Sequence, residues 1–151
     1  VPPVSAATEF ADMRAAYDAL AAEMTAKLEG LRVQHSSATN KDFLGFTLSA
    51  EQLKVLNSAV HPLVRTIPRV NRRSLYLAAH ASHIIGWPVP EGRMLLHDLT
   101  EHATQPQFVY RHEWRVGDFV IWDNRATMHR ARPYDDLKYR RELVRVTTLD
   151  L

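Results

Sequence analysis

His129 stands in Trp122 to Asp135, "WDNRATMHRARPYD", one imidazole among bases, acids and turn residues. A neutral imidazole is a common ligand for a transition metal, but a histidine alone after a strand is more often a packed or surface residue. The stretch that follows, Arg140 to Leu149, "RRELVRVTTL", adds a second chemistry. Side chains alternate along a strand, so Arg141, Leu143, Arg145 and Thr147 would share one face, and Glu142, Val144 and Val146 the other. Two arginines on one face of an apolar strand are costly unless anions pair with them. The guanidinium fork matches a carboxylate in a bidentate way that lysine cannot. The spacing is equally compatible with a solvated face carrying ordinary surface arginines.

Cysteine is absent, which removes disulfides, thiolate metal sites and cysteine nucleophiles. His80 and His83 lie in "AAHASHII". On a strand their spacing puts them on opposite faces, so they are not expected to chelate one ion together. Trp122, Asp123 and Asn124 read as turn and packing residues.

These residues need elements to hold them. Phe10, Met13, Tyr17 and Leu20 fall at helical spacing, so a helix is expected over Thr8 to Leu20, with Thr8 able to cap it. A second short helix is expected over Ala21 to Leu31, ended near Gly30. Val33 to Asn40 reads as a strand end running into a loop, and Ser49 to Val55 as another helical turn or two. Ser74 to Ala79 alternates like a strand, and Pro90 to His102 returns to helix. Three strands are expected at Gln107 to His112, Asp118 to Trp122 and Glu142 to Leu149, with a turn at Gly117-Asp118. The result is an α+β chain with about five strands, concentrated in the second half.

At 151 residues the chain suits one domain, and 46% hydrophobic with 24% charged residues marks an ordinary globular composition. No apolar run approaches the ~20 residues of a membrane span, and no signal pattern opens the chain, so a cytoplasmic protein without membrane contact is expected. The start at Val1, with no initiator methionine, suggests a trimmed, processed or partial chain. The formal charge is only +2, and the bases between Arg125 and Arg145 are interleaved with Asp135, Asp136 and Glu142. Nucleic acid is therefore not an expected partner.

The stretch "GDFVIWDNRATMHRARPYDDLKYRRELVRVTTL", Gly117 to Leu149, resembles the C-terminal signature of the taurine/2,4-dichlorophenoxyacetate dioxygenase family. The resemblance runs back through "RSLYLAAHASHIIGWPVPEGRMLLHDLTEHATQPQFVYRHEWRVGDFV" to "TEFADMRAAYDALAAEM", and is nearer the 2,4-dichlorophenoxyacetate branch. It implies a double-stranded β-helix (jelly-roll) core with flanking helices, bound Fe(II), and 2-oxoglutarate as cosubstrate. It also implies roles: His129 as the distal histidine ligand, and Arg141 gripping the far carboxylate of 2-oxoglutarate, with Arg140 a competitor for that role. Arg145 would lie near the keto acid and the substrate's acidic group. Thr8 would help hold 2-oxoglutarate, although Ser5-Ala6-Ala7 precedes it where the family usually has Gly-Gly-Asp; a simple helix cap is the alternative. His80 would contact the substrate carboxylate, against the alternative of a buried structural histidine.

The family's remaining metal ligands form a His-x-Asp or His-x-Glu pair. The residues two after each histidine here are Ser37, Leu63, Ser82, Ile85, Leu99, Thr104, Trp114 and Ala131, so no such pair exists. A jelly roll also needs about eight strands. Residues 1–151 are therefore expected to be the C-terminal part of a single catalytic domain, its N-terminal strands and two of three metal ligands lying upstream. The implied reaction uses molecular oxygen to hydroxylate a small organic acid, aryloxyalkanoate-like or a sulfonate, with release of succinate and carbon dioxide. A non-enzymatic small-anion-binding relative and a half-domain needing another chain stay open, as does homo-oligomer formation.

Overall fold

The computed structural model describes residues 2–38, 45, 47, 49, 51 and 58–148. Their strands are β1 (Thr8–Asp12), β2 (Arg32–Ser36), β3 (Ser58–Pro62), β4 (Val64–Ile67), β5 (Arg72–Leu75), β6 (Ala81–Ile84), β7 (Val109–His112) and β8 (Thr127–Ala131). The helices are α1 (Met13–Asp18), α2 (Ala22–Leu28) and α3 (Val89–Ala103), with a 3-10 turn at Pro106–Phe108. The paired strands run antiparallel in three sheets, ordered β7-β1-β8, β3-β2-β6 and β4-β5.

The β content is greater and more evenly spread than the sequence suggests. Thr8 opens a strand, not a helix, because β1 is paired on both edges, by β7 and by β8. Backbone hydrogen bonds to two neighbours outweigh the weak helical preference of five residues. The helix begins only at Met13, and Asp12 is its cap: Oδ1 accepts from Arg14 N at 2.9 Å and Ala15 N at 3.2 Å. Pro106 starts a tight turn, so β7 begins at Val109 rather than Gln107. The strand expected at Ser74 sits earlier, at Arg72–Leu75. Residues 118–122 and 142–148 make no sheet hydrogen bonds among the described residues, and Phe119, Ile121, Val144 and Val146 stand exposed. Most of the turn expected from Ser49 to Val55 lies outside the described residues, as do Thr39, Asn40 and Leu149.

The core joins these layers. Met13, Leu28, Val33, Leu63, Leu75, Ile84 and Leu99 are almost wholly buried together. Helix α3 presents Leu95, Leu96, Leu99 and Ala103 to this cluster at three- and four-residue spacing. It lies close on β6 because residue 92 is glycine; a Cβ there would meet Ile84 N at 3.1 Å. At the helix's far end His102 Nε2 donates to Ala16 O at 2.8 Å, tying α3 to α1. No helix among the described residues is long and apolar enough to cross a membrane.

Candidate functional site

Strand β1 is the middle of its sheet, and its alternation divides the two faces. Ala11 opposes Val109 and Met128, and this face joins the core. Thr8 and Phe10 point the other way; Thr8 is level with His112 and Ala131, and Phe10 with Tyr110 and His129. The sheet therefore brings Thr8 and His129 to one face, two residue rows apart at most.

Thr8 is buried, and its Oγ1 accepts two hydrogen bonds, from Arg141 Nη2 at 2.9 Å and from Trp114 Nε1 at 2.9 Å. Arg141 Nε is buried as well, with no hydrogen-bond partner among the described residues. An orphaned guanidinium N–H is expensive, and a carboxylate is the group that matches it. The neighbouring arginines are differently placed. Arg140 reaches Glu142 at 3.0 Å on the exposed surface. Arg130 and Arg132 both face Glu9, on the opposite side of the sheet, at 2.7 and 3.6 Å. Their positive charge, led by the hydrogen bond from Arg130, lowers the Glu9 carboxyl below its ordinary range.

His129 packs against Trp122 and Phe10, with ring centroids 5.2 and 6.1 Å away. Partial burial lowers its basicity, and the Arg145 charge lowers it further. A neutral imidazole is the form a metal needs. His129 thus fits the chemistry of a ligand, although no group of three or more histidine, aspartate or glutamate side chains among the described residues could hold an ion. Arg145 is near enough to act on His129 electrostatically but is exposed. The strand expected to align Arg141 with Arg145 has no sheet partner among the described residues.

His80 belongs to a cluster of aromatic rings around His35. It occupies the turn before β6, its ring 5.1 Å from that of His35. His61 and Tyr76 complete this cluster at 5.3 and 5.2 Å from His35, and the Arg65 guanidinium sits 4.4 Å over Tyr76. His35 is 5% exposed, and neither ring nitrogen has a hydrogen-bond partner among the described residues. Burial, then His80, His61 and Arg65, push its pKa down to about 4. His83 is turned to Ser82 instead, Nδ1 lying 3.0 Å from its hydroxyl.

Two participants escaped sequence reasoning. Trp114 carries no motif signal, and its contact with Thr8 joins residues 106 positions apart. Phe10, read as a helix-face residue, becomes a wall beside His129 because β1 is a strand. Trp122 and Asp123 do form the expected turn and packing: Asp123 Oδ1 accepts from Arg125 N at 2.8 Å, and Trp122 Nε1 donates to Asn124.

The family model described as taurine catabolism dioxygenase TauD, TfdA family matches residues 1–147. The chain is 54% identical over 151 residues to the alpha-ketoglutarate-dependent 2,4-dichlorophenoxyacetate dioxygenase of Cupriavidus pinatubonensis, covering 99% of this chain and 52% of that protein. It is 39% identical over 142 residues to the (S)-phenoxypropionate/alpha-ketoglutarate-dioxygenase of Sphingobium herbicidovorans, covering 89% and 50%. Among solved structures, AAD-2 in complex with Mn(II) and N-oxalylglycine superposes with a TM-score of 0.88 at 51% identity, covering 92% of this chain and 55% of that one. The chain spans about half the length of the curated relatives it matches.

Proposed function

The chain belongs to the taurine catabolism dioxygenase TauD, TfdA family, and on that premise we propose that it is the C-terminal part of a 2-oxoglutarate- and Fe(II)-dependent dioxygenase domain. The substrate is a small organic acid, aryloxyalkanoate-like or a sulfonate, hydroxylated with release of succinate and carbon dioxide. The observation that carries this reading is the buried, unpartnered Nε of Arg141 beside the Thr8 hydroxyl.

In this reading Arg141 and Thr8 hold the distal carboxylate of 2-oxoglutarate, and the rigid pairing of β1 on both edges keeps that anchor in place. His129 supplies one metal ligand, kept neutral and oriented by Phe10 and Trp122. Iron(II), when bound, supplies oxygen activation coupled to decarboxylation of the keto acid. Arg145 neutralises acidic groups of cosubstrate and substrate near His129, and the exposed His80 imidazole contacts the substrate carboxylate. The other two metal ligands come from residues outside the described set. The exposed apolar segments 118–122 and 142–148 complete a double-stranded β-helix by pairing with strands that are also outside it, a reading supported by the likeness to dioxygenase structures.

The test is succinate release by the full-length protein with Fe(II), oxygen and 2-oxoglutarate, across a panel of aryloxyacetates, aryloxypropionates and alkylsulfonates. Release stimulated by one of these acids is expected; none with any of them would overturn the assignment. A second reading, anion binding without metal, draws on the buried Nε of Arg141, which asks for a carboxylate with or without an ion. It requires carboxylate binding, measured by calorimetry, to be indifferent to a chelator.

A further inference from the structure

Trp114 holds neither metal nor cosubstrate in the proposed site, yet it touches the same hydroxyl as Arg141. Its position is set with some care by the chain. His112 ends β7 directly opposite Thr8, and Trp114 follows two residues further on, just past the strand. Asp118 Oδ2 fixes the turn that follows Trp114, accepting from Arg115 N at 2.8 Å and lying 3.0 Å from His112 Nε2. The His112 ring meets the indole edge-on, centroids 4.6 Å apart at 87°. The indole is thereby held with its N–H on Thr8 Oγ1.

Indole N–H and guanidinium are donors only, so Thr8 must be the acceptor in both bonds. A hydroxyl oxygen has two lone pairs and one proton. Both lone pairs of Thr8 are taken, and among the described residues its O–H donates to no acceptor. The hydroxyl can therefore serve an external ligand only as a donor. Were Trp114 lacking, the hydroxyl could rotate and present a lone pair toward the bound anion, which repels.

We infer that Trp114 is a positioning residue: it locks the Thr8 hydroxyl as a donor, so that Thr8 O–H and Arg141 Nε–H both point at one carboxylate. This deepens the proposed reading of Thr8 and Arg141 and rests on it.

The test uses full-length protein loaded with Mn(II), with calorimetric titration of 2-oxoglutarate and of 2-oxopentanoate, which has a methyl group in place of the distal carboxylate. Trp114→Phe keeps the ring and removes the N–H. It is expected to weaken 2-oxoglutarate about fivefold, the scale of one hydrogen bond, and to leave 2-oxopentanoate within about twofold. Adding Trp114→Phe to Thr8→Val should cost nothing further, because the indole acts only through the hydroxyl. Three results would overturn the inference: unchanged 2-oxoglutarate affinity in Trp114→Phe, equal weakening of both keto acids, or losses that add in the double variant. Wild-type protein that binds the two keto acids equally would instead sink the Thr8–Arg141 reading itself.

Discussion

Arg141 Nη2 donates to Thr8 Oγ1 at 2.9 Å, a bond between residues 133 positions apart. It joins the first strand of the chain to a segment that has no sheet partner among the described residues. The bond leaves one edge of the guanidinium, Nε, buried and unsatisfied.

That edge makes Arg141→Ala the most discriminating substitution. A charge-assisted hydrogen bond contributes about 1.5–3 kcal/mol, so the 2-oxoglutarate requirement of the full-length enzyme should rise roughly 10- to 100-fold. Arg140→Ala, which loses only an exposed pair with Glu142, should leave it within about twofold. Titrating 2-oxoglutarate against succinate release checks both, and reversal of the two effects would assign the anchor to Arg140.

The pH dependence of folding should report His35. Its folded pKa of about 4 lies below the ordinary 6.5, so the unfolded chain takes up the proton first. The stabilisation is fully present above pH 6.5 and is lost as pH falls from there toward 4, by on the order of 3 kcal/mol at most. His61, shifted down chiefly by burial and then by Arg65, acts in the same direction. Urea titrations between pH 7.5 and 4.5 should show this slope, and His35→Leu should flatten it.

His129→Gln should abolish metal-dependent 2-oxoglutarate binding while leaving the fold intact, since the side chain is at the sheet surface and outside the main core. Calorimetry with Mn(II) and thermal melting separate the two effects. Metal affinity equal to wild type would remove His129 from the ligand set.

Asp12→Ala should cost about 1 kcal/mol of stability, the usual effect of losing a helix cap. Its carboxyl caps α1 and pairs with Arg14 at 3.0 Å. Denaturant unfolding tests this; if Asp12→Ala proves neutral, the cap contributes nothing.

Part of this molecule is legible along the chain. Helix α3 is plain because its apolar residues recur at helical spacing and prolines mark its start. The family is plain, and His129 and Arg141 are legible as its candidate residues, because motif chemistry is local: residue types at fixed intervals survive without any fold being known. What the sequence could not supply is who faces whom. Thr8 stood between a 2-oxoglutarate contact implied by the resemblance and a simple helix cap; pairing of its strand on both edges by β7 and β8 removes the cap. Phe10 and Trp114 acquired roles through pairing register and a contact across 106 positions. The cluster that His80 forms with His35, and His35 with His61, joins residues far apart in the chain and carries no local signal. Local spacing determines which groups are available, but strand pairing is a long-range, cooperative choice whose hydrogen bonds outweigh local propensity. Pairing placed Thr8 in the middle of its sheet, and long-range contacts from two unpaired segments then brought Trp114 and Arg141 to its hydroxyl.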